Sequence, residues 1–307
     1  MTMLHLRVVC AEDAADAVLD ALRRQVGVVA VRRAGATSDG TEITAALARE
    51  CADEAFGSLR RLGVYDTGMV SLEPLDTAIG HLAQKAEGDA PGEGADAVIW
   101  DELTSRTGED STLTGTFLGF MTLATLLAAI GVVTDSQVTI VGAMVVGPEF
   151  GPLAGVAVGL IQRRLRFARR AAIALLVGFP VAIVVTSVLA LVARGSGLIS
   201  PSDITGANRQ TEFIYHPGWF SLITALVAGT AGMLSLTSSK SAALVGVFIS
   251  VTTIPAAGNA AVGGVLGHWH ETWQSVAQLG INLVGIVAAG VATLAIRGAV
   301  RPRARVA

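Results

Sequence analysis

The chain has 307 residues, of which 52% are hydrophobic and 15% are charged. Residues 1–110 carry 10 Lys/Arg and 20 Asp/Glu, whereas residues 111–307 carry 12 Lys/Arg and 5 Asp/Glu. These figures predict an acidic soluble part followed by a membrane part. Cys10 and Cys51 both lie in the acidic part. With no secretory signal in view, we expect both to be free thiols, and a Cys10–Cys51 disulfide is the alternative.

Strand and helix patterns alternate through residues 1–75, which we predict to be a separate domain. Strand-like segments occupy 4–10, 27–35, 41–48 and 67–75, and amphipathic helix patterns occupy 12–25 and 50–63. The order β-α-β-β-α-β predicts a ferredoxin-like α+β fold, with a four-stranded sheet and two helices on one face.

A connector is predicted between this domain and the membrane part, over residues 76–110. The sequence APGEGAD at 90–96 combines Pro, Gly and acidic residues, which is typical of a break between elements. Residues 96–107 have the pattern of a short helix leading to the membrane, with Trp100 as an anchor at the interface.

Six apolar stretches follow, in an α-helical membrane domain predicted over residues 111–297. They cover 112–133, 137–161, 171–193, 218–237, 241–266 and 275–296, and each reaches the ~20 residues that cross the hydrocarbon layer. Six spans place both chain ends on one side, together with the arginines of RRLRFARR (163–170) and the basic tail (298–307). The positive-inside rule therefore predicts a plasma-membrane protein with a cytoplasmic N-terminal domain and C-terminus.

The six stretches divide into two similar halves when the sequence is shifted by 104 residues. The first stretch then falls on the fourth and the third on the sixth, while Val141-Gly142 falls on Val245-Gly246. Because each half has three spans, an odd number, the second half would be inverted relative to the first, as in many transporters. Chance alignment of glycine-rich apolar helices is the alternative, since identity elsewhere is poor.

The middle stretch of each half contains helix-breaking residues. GPEFGP (147–152) interrupts the first, and TTIPAAGN (252–259) interrupts the second. Backbone groups freed by Pro and Gly at that depth have to pack in protein or line a wet cavity, and paired breaks indicate a substrate site. The predicted substrate-binding residues are Gly147, Pro148, Glu149, Gly151, Pro152, Thr252, Thr253, Pro255 and Asn259.

Glu149 is the acidic residue that lies well inside a predicted span. Burying an ionisable group in a bilayer is costly, which points to a role as a proton-titrating group or a cation ligand. The alternative is a protonated or hydrogen-bonded glutamate that seals the break. For Thr252, Thr253 and Asn259 the alternative to ligand contact is capping of freed backbone groups. Asn282 is predicted to form an interhelical hydrogen bond.

Three stretches resemble a known family: VIWDELTSRTGEDSTLTGTFL (98–118), LLAAIGVVTDSQVTIVGAMVVGPEFGPLAGVAVGL (126–160) and TIPAAGNAAVGGVLG (253–267). On these residues the chain resembles the bacterial and archaeal membrane family called domain of unknown function 389. The resemblance implies an integral membrane protein with a cytoplasmic N-terminal domain, and it brings no catalytic residues.

The preferred function is a transporter or channel for a small solute or ion, with its site at the two interrupted helices and a regulatory cytoplasmic domain. The alternative is a membrane-anchored sensor or scaffold, in which the cytoplasmic domain binds a small ligand and the spans only anchor and oligomerise. The sequence contains no recognisable nucleophile–base set, P-loop or zinc pattern, so we expect neither an enzyme nor a cofactor nor a metal site.

The expected partners follow from the same features. They are the lipid bilayer, a small solute or ion, a small ligand at the cytoplasmic domain and further copies of the chain. Self-association is expected because exposed sheet edges and glycine-rich helices favour it. Nucleic acid is not expected.

Overall fold

A computed structural model describes residues 3–92, 97–204, 218–238 and 253–299. The chain divides into two compact units, the first built mainly from Met1–Glu102 and the second mainly from Leu103–Leu236 and Ser241–Ala299. Each unit has its own hydrophobic core.

The first unit is a four-stranded antiparallel sheet with helices. The strands are β1 (Met3–Cys10), β2 (Val28–Thr37), β3 (Gly40–Ala48) and β4 (Met69–Pro74), and the helices are α1 (Ala15–Arg23), α2 (Ala52–Arg61), α3 (Val64–Thr67) and α4 (His81–Asp89). The sheet order is β2-β3-β1-β4, with every neighbouring pair antiparallel. This is the order expected for β-α-β-β-α-β connectivity, with α3 and α4 added.

The core of this unit lies between the sheet and helices α1 and α2. Leu6 and Ile43 from the central strands pack in one buried cluster with Leu22 of α1 and Leu59 of α2. The helices form because their apolar residues recur on one face, as at Val18, Leu19 and Leu22 in α1. Cys10 and Cys51 are buried and free, as predicted.

Strand β2 lies at one edge of the sheet and is irregular. Its pairing with β3 shifts between Val29 and Arg32 and again between Arg33 and Gly35. Ala30 takes a left-handed φ of 53° there. Bulges of this kind twist an edge strand and hinder its pairing with another chain.

The second unit is helical. Its helices are the end of α5 (Trp100–Asp110), then α6 (Gly115–Val133), α7 (Gln137–Val146), α8 (Phe150–Ile161), α9 (Leu165–Gly195), α10 (Trp219–Thr237), α11 (Ile254–Leu266) and α12 (Trp269–Ala299).

Four of these helices, α6, α9, α10 and α12, are long and apolar enough to cross a membrane. Helices α7 and α8 together form a fifth candidate, bent by 51° at the break between them. The sixth predicted span, 241–266, lies partly outside the described residues. Its described portion is α11, which has 13 residues and is too short to cross alone. The described residues therefore support four or five spans, and six remains a prediction.

The short helices α8 and α11 lie inside this unit. Helix α8 packs against α9 and α12, and α11 packs against α6, α9 and α12. Most of their residues are buried, and glycines permit the close approach. A Cβ on Gly159 would come within 2.8 Å of the Cβ of Ala168, and one on Gly258 within 2.7 Å of the Cβ of Ala128. Side chains larger than hydrogen do not fit at these positions without movement.

The long helices present apolar residues outward. In α9, Leu176 is 71% exposed and Val192 is 65% exposed. A 31-residue helix is about 46 Å long, which exceeds the ~30 Å of a typical hydrocarbon layer. An outward apolar surface of this extent is explained by contact with lipid.

Candidate functional site at the two helix breaks

The break between α7 and α8 is made by three consecutive residues. Gly147 ends α7 in an extended conformation (φ −64°, ψ 125°), which a residue before proline favours. Pro148 lacks the N–H that would continue the helix. Glu149 then occupies the N-cap position of α8. Pro152 falls in the first turn of α8, where a missing N–H is tolerated.

The predicted second break, 252–259, is only partly confirmed, because its residues from Ile254 to Asn259 lie within α11 and are helical. Thr253 is the N-cap residue of α11, and Pro255 is the second residue of that helix. Thr253 makes no capping hydrogen bond with its side chain, so its hydroxyl is available for another contact. Thr252 lies outside the described residues.

The two breaks meet through a hydrogen bond. The Thr253 hydroxyl donates to Glu149 Oε1 at 2.8 Å, and both residues are 0% exposed. The N-terminal ends of α8 and α11 therefore lie side by side in the interior. Each end carries partial positive charge, which offsets part of the cost of burying the carboxyl group. A Cβ on Gly147 would overlap the Glu149 carboxylate and Ile254, so a larger residue here would displace these side chains.

Asn259 makes a different contact. It is buried in α11 and donates from Nδ2 to Ser275 Oγ of α12 at 2.8 Å. The structure thus joins Glu149 and Thr253 directly and pairs Asn259 with Ser275. The interhelical hydrogen bond predicted for Asn282 is present, since Ser221 Oγ donates to Asn282 Oδ1 at 2.9 Å.

The sequence did not reveal the residues that face the glycine side of α8. Gly151, Gly155 and Gly159 recur every four residues, and Cβ atoms on the first two would overlap Asp110 and Ser111. Partial burial, with the negative charge of Glu109, raises the pKa of Asp110 above its usual range. The four-residue glycine spacing was a signal for close packing, but nothing local indicated which residues would approach.

In the first unit, several arginines form ion pairs with acidic side chains. Arg33 contacts Glu12 at 2.9 Å and Asp16 at 3.1 Å. Arg60 contacts Asp101 at 2.8 Å and lies over the ring of Tyr65. Burial raises the pKa of Tyr65 to about 12. Within the described residues, no three His, Cys, Asp or Glu side chains are grouped to hold a metal ion.

The set of long apolar helices, with outward apolar surfaces and a buried carboxyl group, defines a multi-pass helical membrane protein. Residues 144–288 match the model of the family described as "Domain of unknown function (DUF389)", which confirms the predicted resemblance. An uncharacterized protein of Methanocaldococcus jannaschii is 24% identical over 192 residues. That match covers 62% of this chain and 56% of the relative, so the chain spans little more than half of the relative's length. No solved structure matches the chain significantly.

Proposed function

We propose that the chain is a transporter or channel for a small solute or ion, with its site where the N-terminal ends of α8 and α11 meet. The observation that carries this proposal is the buried hydrogen bond from Thr253 to Glu149. A glutamine could accept the same hydrogen bond without the cost of burying an ionisable group. A carboxyl group in its place points to chemistry that needs a charge or a proton.

Matching helix boundaries support the inverted repeat that this proposal uses. Helix α10 begins and ends 104 residues after α6 begins and ends. Helix α12 likewise begins and ends 104 residues after α9. The starts of α8 and α11 have the same offset, as do Glu149 and Thr253 themselves. Three spans in each half would then give opposite orientations, which brings equivalent breaks together near the middle of the bilayer.

The chain turns after α8 and α11 support the same repeat. Arg163 has φ 57°, and the N–H of Arg164 donates to Gly159 O at 2.8 Å. Gly267 has φ 93°, and the N–H of His268 donates to Gly263 O at 2.8 Å. The two turns are the same αL helix ending, and glycine is the residue that usually occupies it.

Transport at this site requires a movement. Glu149 is fully enclosed, so a solute reaches it only if α8 or α11 shifts relative to α9 and α12. Rocking of one half against the other is the movement that inverted repeats commonly provide. In this scheme Glu149 binds a cation or releases a proton when the site opens, and Thr253 orients its carboxyl group.

The remaining features of the proposal concern the whole protein. The N-terminal unit and the C-terminus lie in the cytoplasm of a plasma-membrane protein, as the arginines of 163–170 and 298–307 favour. The N-terminal unit is regulatory and binds a small ligand, the membrane unit has no enzymatic role, and copies of the chain associate.

Osmotic swelling of proteoliposomes tests this proposal. The probes are sodium chloride, potassium chloride and potassium phosphate, each at several pH values, with an internal pH-sensitive dye. We expect the wild type to admit at least one probe in a pH-dependent way, and Glu149→Gln to lose that pH dependence. Glu271→Gln, which removes an acid from the first turn of α12, is the matched control and keeps it.

Two results would overturn the proposal. One is equal flux for wild type and Glu149→Gln across the pH range. The other is folded, correctly inserted protein that admits none of the probes and moves no protons. The second result would favour the anchored sensor or scaffold.

A further inference from the structure

Five exposed arginines surround the start of α9. They are Arg163, Arg164, Arg166, Arg169 and Arg170, and we call them the arginine cluster. Arg169 and Arg170 follow Arg166 by three and four residues, which places both of them beside Arg166 on the helix surface. Positive charges at a helix N-terminus oppose the helix dipole and repel one another. The cluster is therefore not explained by the stability of α9.

The opposite face of the same turns is held by the protein. Ala168 is buried against Gly159, and the ring of Phe167 lies 3.2 Å from where a Cβ on Gly108 would be. The Arg170 guanidinium also donates to Thr112 Oγ1 at 2.8 Å. Because this face is fixed, the backbone that carries the cluster is held in a defined position. Arg170 is directed toward Thr112, and the other four arginines are exposed at the surface.

Helix α12 shows only that a helix of this length forms without such a start, because the proposed topology places its N-terminal end on the other side of the membrane. It has 31 residues, as α9 does, but its first turn carries Glu271 and the exposed Trp269 in place of arginines. A topological signal requires positive charge near a span, but it does not require that the charges lie beside one another on the helix surface. The arrangement at α9 therefore calls for an additional explanation.

We propose that the arginine cluster binds the head group of an anionic phospholipid. Leu165, which is 68% exposed, lies among the arginines, and Ile173 and Leu176 continue an exposed apolar surface along α9. An anionic lipid fits both the arginine cluster and the apolar surface, because its phosphate pairs with guanidinium groups and its acyl chains cover the apolar side chains. A soluble polyanion would leave the apolar surface uncovered, which is why a lipid is the favoured occupant.

Titration of the purified full-length protein in a neutral detergent tests this inference independently of transport. The probes are phosphatidylglycerol and, as the neutral reference, phosphatidylcholine, and the readout is the number of lipids retained in native mass spectrometry. The test variant is Arg164→Gln/Arg166→Gln. Arg23→Gln/Arg24→Gln removes the same charge from an exposed pair at the end of α1, and it is the matched control.

We expect the wild type to retain phosphatidylglycerol in preference to phosphatidylcholine. The apparent affinity should fall by about fivefold for each arginine removed, so by more than tenfold in the test variant. The control should retain the wild-type affinity. Arg166→Gln alone provides a milder variant if the double variant does not fold.

The inference fails if wild type and test variant bind phosphatidylglycerol equally, or if the control loses as much affinity. It also fails if free inorganic phosphate displaces the lipid at millimolar concentration, because the site would then recognise phosphate alone.

Discussion

Replacing Thr253 by valine tests the contact between the two helix breaks. Valine keeps the shape of threonine but removes the hydroxyl that donates to Glu149 Oε1 at 2.8 Å. Interhelical hydrogen bonds in membrane proteins contribute about 0.6 kcal/mol on average and up to about 1.7 kcal/mol. Because both residues are 0% exposed, water cannot replace the lost donor, and the acceptor is a carboxyl group. We therefore expect Thr253→Val to lower the free energy of unfolding by about 1.5 kcal/mol, close to the upper value.

The assay is reversible unfolding of the purified protein in mixed micelles with increasing dodecyl sulfate, followed by circular dichroism. Thr125→Val is the matched control. Thr125 is also 0% exposed, but its hydroxyl donates to Met121 O within its own helix. Loss of such a local bond should change stability by less than about 0.5 kcal/mol.

A double-mutant cycle with Glu149→Leu isolates the interaction itself. Thr253→Val should cost little in the Glu149→Leu background, because the acceptor is already absent. A coupling energy below about 0.3 kcal/mol, or equal losses for Thr253→Val and Thr125→Val, would refute the argument that this contact joins α8 to α11.

The other predictions concern packing, backbone strain and a buried thiol. Gly159→Ala should lower the free energy of unfolding by about 1–3 kcal/mol in the same assay, because its Cβ would meet the backbone of Ala168 at 2.7 Å. The control is Gly142→Ala at an exposed position of α7, which should leave that free energy unchanged or raise it slightly. Ala30→Gly should relieve the left-handed φ of 53° and stabilise β2 by about 1 kcal/mol, which slows hydrogen exchange of its amides. Ala36→Gly in the same strand should have the opposite effect. Equal exchange rates in the two variants would contradict backbone strain at Ala30. Burial raises the pKa of Cys51 to about 11 from 9.0, so the folded state favours the neutral thiol. That stability is present below pH 9 and is lost as the pH rises toward 11. Cys51→Ala should reduce this slope in pH-dependent thermal unfolding, with a remainder from Tyr65, whose pKa is also raised. An unchanged slope would exclude Cys51 as a source.

The first unit follows closely from its sequence because its signals are local. Helix α1 was predicted over 12–25 and covers Ala15–Arg23, since its apolar residues recur at helical spacing. Helix α4 was missed and fell within the predicted connector. It buries only Ala83 and Ala86, so its sequence carries little amphipathic signal.

For the four or five candidate spans of the described residues, hydropathy located the helices but not their ends. Helix α9 was predicted from residue 171 and begins at Leu165. The arginines before residue 171 lower the hydropathy without breaking the helix, because arginine is a good helix former. Hydropathy reports contact with lipid, whereas helix boundaries depend on backbone hydrogen bonds.

The candidate site was predictable in part. Proline and glycine act on their own backbone, so the break beside Glu149 could be read from the sequence, whereas most of the predicted second break is helical. The pairing of these two side chains depends on the packing of helices that are distant in sequence. The same is true of the bond between Asn259 and Ser275, which the sequence did not indicate.

The interior position of α8 has a consequence for biogenesis. The ribosome produces α8 well before α12, yet α12 forms part of its final surroundings. Until α12 emerges, the nascent chain holds α8, with its acid and its glycine-rich surface, without all of its mature neighbours. We therefore expect a chain truncated before α12 to be recognised by membrane quality-control proteases, even though most of its hydrophobic segments are already synthesised.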